Sequence, residues 1–402
     1  MQTVKLRGVC ITFSRRKVFA HIAFLAFFLL VFLVLTPIDH LDFYTHNKQL
    51  LQFYESGYWR PNFLYYLIVA MASGFSQNMH LLSIVAAFIM ASSVYAKWNI
   101  TKQISHLFFG DQYFRHLPFA MLFVFSLPAA YNNWYFGQIS PNQWHNSTTI
   151  LLMPFALLLY FHAYNYIFEQ NQKSQCNVLY LSILNVLIKP SFLFCLMPVM
   201  VFWVLYKGFS NKWIKKMWVF FPALLILSAQ YLILYLPAFK SAAVLSGDEG
   251  GVSFSFLHVW QHYSDNILLS FLLSVAFPFT AVLFYGKVLF SSRLFLFTLA
   301  LFVVGILIFA CLTETGSRQF HCNFIWQAIV ANYLLYWVSA QLFLRHTLKT
   351  KNANKMNFWN IARFYAKSKN YSALAVYIMF LLQCLGGVYY LLRMVLRNGS
   401  YA

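Results

Sequence analysis

The sequence predicts an all-α, polytopic membrane protein of about eleven transmembrane helices, with interfacial and half-length helices at the outer face. Three observations carry this. The 402 residues are 61% hydrophobic and only 9% charged, where an ordinary soluble domain is about 25% charged. Apolar runs near 20 residues, the length that crosses a bilayer, recur from residue 18 to residue 392. The third is charge placement. With spans at 18–37, 79–97, 117–133, 147–167, 177–188, 191–206, 217–237, 267–285, 294–312, 324–344 and 372–392, 22 of the 29 basic residues fall inside. Seven of the nine acids fall outside, and the N-terminus is cytoplasmic. The net charge of +20 is therefore a topology determinant, and nucleic acid is not an expected partner. The chain reads as one integral-membrane domain over 1–402. It opens on a basic cytoplasmic segment (1–17), and its first apolar run has no cleavage site after it, as in an uncleaved anchor.

The first outer loop, 38–78, is the densest polar stretch. It holds Asp39, His40, Asp42, His46, Glu55 and Arg60. Leu50–Tyr58 reads as an interfacial helix, and 62–75 is too short to span, so it reads as half-buried. The outer loop between the third and fourth spans is uncharged and rich in amides and aromatics, with Gln138, Asn142 and His145. It ends in a glycosylation sequon, Asn146-Ser147-Thr148; Asn398-Gly399-Ser400 is another.

Lys189-Pro190 interrupts an apolar run of residues 178–206. One span there would put Lys207, Lys212, Lys215 and Lys216 outside, against the charge rule. Two short helices meeting at Lys189-Pro190 keep the rule. A lysine recessed at that depth needs an anionic partner. Further outer loops are 238–266, with a glycine tract, and 313–323, with Glu314, Arg318 and His321. The inner stretch 345–371 is basic and reads as a surface helix plus linker.

Six cysteines show no CxxC pairing; Cys311 and Cys322 flank one loop and are the one candidate disulfide. His258 and His262 share a helix face near Asp265, but spacing fixes no further ligand. No cofactor is expected. A divalent cation on Asp39 and Asp42 is the alternative.

The outer polar residues come from four connections on one side. Carboxylates can take a proton from an acceptor hydroxyl, cations can neutralise a phosphate leaving group, and amides can hold hydroxyls. Each also has a plain reading. The aspartates could cap a helix, Lys189 could snorkel, and Glu314 and Arg318 could be a local ion pair.

An acid in the first outer loop, an interfacial helix after it, the Gly137-Gln138-xxx-Asn142 loop, the Lys189-Pro190-Ser191 break and the span count together resemble the GT-C superfamily of integral-membrane glycosyltransferases. They resemble bacterial members that use polyprenyl-phosphate sugars. The likeness covers most of the chain as a pattern of short motifs. It implies a sugar transferase with a lipid-linked donor and a glycan, glycolipid or protein acceptor, working in membrane lipid. The site would face the periplasm or exterior of a bacterial inner membrane, or a lumen. The superfamily's first-loop base maps onto Asp42, or onto Asp39. The Asp-His-Leu-Asp spacing departs from the family's DxD form, which leaves that choice open. Donor and acceptor would be held by Lys189, Arg318, His40, Glu314, Gln138, Asn142, His145, Arg60 and His321. Two other readings compete. An arginine-based polymerase or ligase of lipid-linked chains would use Arg60, Arg318, Arg393 and Arg397. A lipid or solute transporter would be expected to show internal repeats.

Overall fold

The computed structural model describes residues 3–6, 9–12, 15–57, 62–128, 137–208, 211–235, 251–348 and 356–397. Among these the chain is helical almost throughout. The strands form two short antiparallel pairs: β1 (Thr3–Leu6) with β2 (Val9–Thr12), and β3 (Val252–Phe254) with β4 (Leu312–Glu314), which is distant in sequence.

Helix α1 (Arg15–Leu35) is followed by α2 (Asp42–Ser56), which stops at Gly57 in the left-handed region, its N–H closing on Phe53. The short α3 (Leu64–Ala72) precedes α4 (Met79–Phe109). Asn78 caps α4 by accepting from the N–H groups of His80 and Leu81. Next come α5 (Leu117–Ala120), α6 (Ser147–Ile167), α7 (Ser174–Ile188) and α8 (Ser191–Tyr206). Pro190 cannot donate to a helix and pushes Lys189 into extended backbone (φ −167°, ψ 119°), so α7 and α8 are separate. The remainder comprises α9 (Asn211–Met217), α10 (Phe221–Tyr235), α11 (His258–Tyr263), α12 (Ile267–Ser274), α13 (Ala276–Phe290), α14 (Arg293–Cys311), α15 (Trp326–Thr347), α16 (Phe358–Lys367) and α17 (Tyr371–Leu396).

Six of these helical stretches are long and apolar enough to cross a membrane, or seven if α12 and α13, bent by 71°, count as one. Eleven spans were expected, and the shortfall has physical causes. Helices α7 and α8 are 15 and 16 residues long. Helix α15 has the length but carries Gln327, Asn332, Ser339 and Gln341, all buried. The stretch 117–133 is helical only over Leu117–Ala120, and its described remainder is turn and irregular chain to residue 128. The burial pattern is that of a protein in lipid. Phe19, Leu30, Leu283 and Leu385 face outward while those α15 polar groups are enclosed, the reverse of a water-soluble surface.

Irregular chain at such depth must have its polar groups satisfied by protein. Residues 121–128 and 137–146 lie side by side among α12, α15 and α17 and are served by side chains. Asn332 donates to the carbonyls of Ile139 and Ser274, and Ser274 Oγ accepts from the N–H of Ile139. Gln383 on α17 donates to the Leu273 carbonyl and accepts from the Phe277 N–H. Its own carbonyl takes the N–H of Phe125. Gln341 accepts from the Phe114 N–H. Gly386 and Gly387 let α17 cross this chain. A Cβ on Gly387 would lie 1.7 Å from the Phe123 carbonyl oxygen.

Two further expectations are corrected. Lys97, the last residue of the expected 79–97 span, lies in the middle of α4 and is buried, because α4 continues to Phe109. Cys311 and Cys322, the candidate disulfide, are free thiols.

Candidate active site

The N-terminus of α6 builds the site. Asn146 is its N-cap: the side-chain oxygen accepts from the Thr149 N–H at 2.9 Å and from the Thr148 hydroxyl at 3.0 Å. That fixes the amide's orientation, since the oxygen must face the helix. The NH2 group therefore points away, and it donates to Asp42 Oδ2 at 2.6 Å. Asp42 is the first residue of α2, and among the described residues its Oδ1 takes no hydrogen bond.

Lys189 reaches the same cap from the α7–α8 break. Its Nζ donates to Asn146 Oδ1 at 3.1 Å, to Thr148 Oγ1 at 3.3 Å and to Thr149 Oγ1 at 2.9 Å. It also sits 3.8 Å over the ring of Trp326, the first residue of α15. One amide thus joins a carboxylate to an ammonium, with an aromatic face as the lid. His145 stands beside them. Its Nδ1 is 3.0 Å from the Tyr390 hydroxyl, and its ring is 6.2 Å from that of Trp326. Burial pulls the His145 pKa below its usual value, Asp42 pulls it up, and Lys189 pushes it down again.

That shift sets a pH prediction. The fold favours neutral His145, so its contribution to stability is complete above the unfolded pKa of about 6.5. It fades as pH falls through the lower folded value. The thermal midpoint of the wild type is expected to drop more steeply between pH 7 and pH 5 than that of His145→Gln, and parallel profiles would contradict this.

The other expected residues lie elsewhere. Asp39 and His40 are exposed and pair with each other at 3.1 Å. Asn142 is buried and engaged structurally, donating to the carbonyls of Met121 and Val124 and accepting from Lys97. Gln138 is buried on the same irregular stretch, next to Gly137, whose carbonyl takes the Trp260 indole N–H. Glu314 is buried, with Arg318 at 3.0 Å and a hydrogen bond from Asn323. This pair sits on the connection that leads, three residues after Asn323, into Trp326. His321 is exposed on that connection. Arg60 lies outside the described residues. Among the described residues, His258, His262 and Asp265 form no metal-holding group, and His262 stacks on Phe320 instead.

Asn146, Thr148, Thr149, Trp326 and Tyr390 were not expected at the site. Asn146 was read as a sequon, yet it is buried and its amide nitrogen is held by Asp42, so it cannot accept a glycan in this fold. The cue that could have found it is an Asn directly before a Ser-Thr-Thr and apolar run, an N-cap pattern. Asn398, the other sequon, is outside the described residues.

Comparison with family models, with curated proteins and with solved structures returns no match to this chain.

Proposed function

We propose that this chain is a GT-C-like membrane glycosyltransferase. It moves a sugar from a polyprenyl-phosphate donor to a lipid-linked glycan, glycolipid or protein. The observation that carries the reading is the Asp42–Asn146–Lys189 junction, where a base and a cation from separate connections meet on one oriented amide. Asp42 Oδ1 removes the proton of the acceptor hydroxyl as that oxygen attacks the anomeric carbon. The bond from that carbon to the phosphate oxygen breaks, and the polyprenyl phosphate leaves with the electron pair. Lys189 neutralises the phosphate, exchanging its threonine contacts for phosphate oxygens. Asn146 keeps base and cation at a fixed separation. The Arg318–Glu314 pair, at the entrance to α15, holds the remainder of the donor head group. The excess of basic residues in the opposite loops supports placing this face outward, toward the periplasm of a bacterial inner membrane or a lumen. The short α3 and the α7–α8 break supply a side entry for the lipid tail.

The test is reconstitution in vesicles with radiolabelled polyprenyl-phospho-hexoses and pentoses and a lipid-linked acceptor. Release of polyprenyl phosphate in step with labelling of the acceptor is expected. Donor crossing the bilayer with its sugar still attached would replace this reading with transport.

A further inference from the structure

One buried lysine, Lys97, has no role in the chemistry above. Lys97 lies within α4 and is 7% exposed. Its ammonium donates to Asn142 Oδ1 and sits 3.9 Å over the ring of Tyr333. Among the described residues the ion pairs are Asp39–His40 and Glu314–Arg318, so no carboxylate neutralises Lys97. A buried ammonium without a counter-charge is costly, and it either finds an anion or gives up its proton. It has three donors, and the amide and the ring account for two directions.

Lys97 also lines a cavity. The cavity, of about 20 Å³, is lined by Lys97, Asn142, Gln143, Trp144 and Thr149 among apolar side chains. That is room for a single water-sized occupant. The indole N–H of Trp144 is buried, and among the described residues it has no hydrogen-bond partner. Asn142 has turned its NH2 toward the carbonyls of Met121 and Val124, and its oxygen is taken by Lys97. Thr149 on the cavity wall is also the hydroxyl that Lys189 reaches, which adds a second positive charge beyond it. The polar residues that line the cavity are a lysine, a tryptophan, a threonine and two amides, with no carboxylate.

We infer that this cavity is a binding site for one monatomic anion, chloride in ordinary solution, held by Lys97 Nζ and Trp144 Nε1. A small monatomic ion suits a space of that size better than a tetrahedral oxyanion does. The ion neutralises Lys97 and thereby pins α4 to the irregular chain at Asn142.

The experiment is a thermal-unfolding series on the full chain in detergent. Sodium chloride, bromide, gluconate and sulfate are compared at matched ionic strength, for the wild type, Lys97→Met and Trp144→Phe. A saturable rise in midpoint with chloride and bromide, absent with gluconate and sulfate, is expected for the wild type. Both variants should lose it. Equal wild-type midpoints in chloride and gluconate would overturn the inference, as would a Lys97→Met response like that of the wild type. Should Lys97→Met fail to fold, Trp144→Phe and bromide-soaked crystals decide. An anomalous peak within hydrogen-bond reach of Lys97 Nζ supports the site, and a map without one refutes it.

Discussion

Lys189→Met is expected to lower sugar transfer by at least about a hundredfold while leaving the folded protein near its wild-type stability. The two halves of this result have separate causes. Removing a cation aimed at developing leaving-group charge costs on the order of 10²–10³ in rate. Stability should be spared because methionine has a similar length and can place its thioether end over the Trp326 ring, where the ammonium sits. Asn146 keeps its oxygen paired with the Thr149 N–H and the Thr148 hydroxyl when the ammonium is gone. Lys189→Arg should not rescue activity. The site accepts a compact ammonium among three oxygens, and a planar guanidinium does not fit that arrangement. Transfer rates on protein matched for folded fraction, read beside thermal midpoints, check the prediction. A variant that loses stability and activity together in proportion would make Lys189 a structural pin.

Gly387→Ala carries the largest expected effect on the fold. A Cβ there would lie 1.7 Å from the Phe123 carbonyl oxygen and 2.6 Å from its carbon. Both obstacles are backbone, so no rotamer change relieves them. Either α17 or the irregular chain must move, and with it the hydrogen bond from the Phe125 N–H to the Gln383 carbonyl. A loss of more than about 3 kcal/mol is expected, at or beyond the upper end of ordinary overpacking. Gly286→Ala in α13 is the control. A Cβ there meets only side-chain atoms, the nearest at 3.7 Å. It should be neutral, or stabilising by about 0.5–1 kcal/mol through helix propensity. Detergent-solubilised thermal midpoints for the two variants should diverge, and equal midpoints would mean that α17 does not cross the chain so closely.

What the sequence made legible and what it hid divide along a physical line. The break at Lys189-Pro190 was readable because an apolar run of intermediate length, a proline and the flanking lysines all constrain the same few residues. The half-length α3 was readable from its length alone. Residues 117–133 were misread as a span because an apolar composition does not say who will satisfy the backbone. The answer comes from the Asn142 amide, which donates to the carbonyls of Met121 and Val124, and from the backbone carbonyls of Leu273 and Gln383, more than a hundred residues later in the chain, which accept from the N–H groups of Leu127 and Phe125. Asp39 and Asp42 were indistinguishable by composition and depth. They separate because α2 begins at Asp42 and aims it at Asn146, leaving Asp39 exposed beside His40. The coupling of Asp42 to Asn146 joins residues 104 apart, which no local pattern encodes. Lys97 was hidden for a related reason. A lysine at the end of an apolar run reads as a loop residue until Tyr333 and Asn142 supply partners that let the helix continue.

The account rests on Asp42, and not its neighbour, being the base. The direct measurement is the rate of sugar transfer by Asp42→Asn and Asp39→Asn in the same vesicles, each normalised to folded protein. Asp42→Asn should fall by at least about a hundredfold, the size of a typical general-base contribution, while Asp39→Asn keeps essentially wild-type rate. Full transfer by Asp42→Asn would contradict the account at its centre.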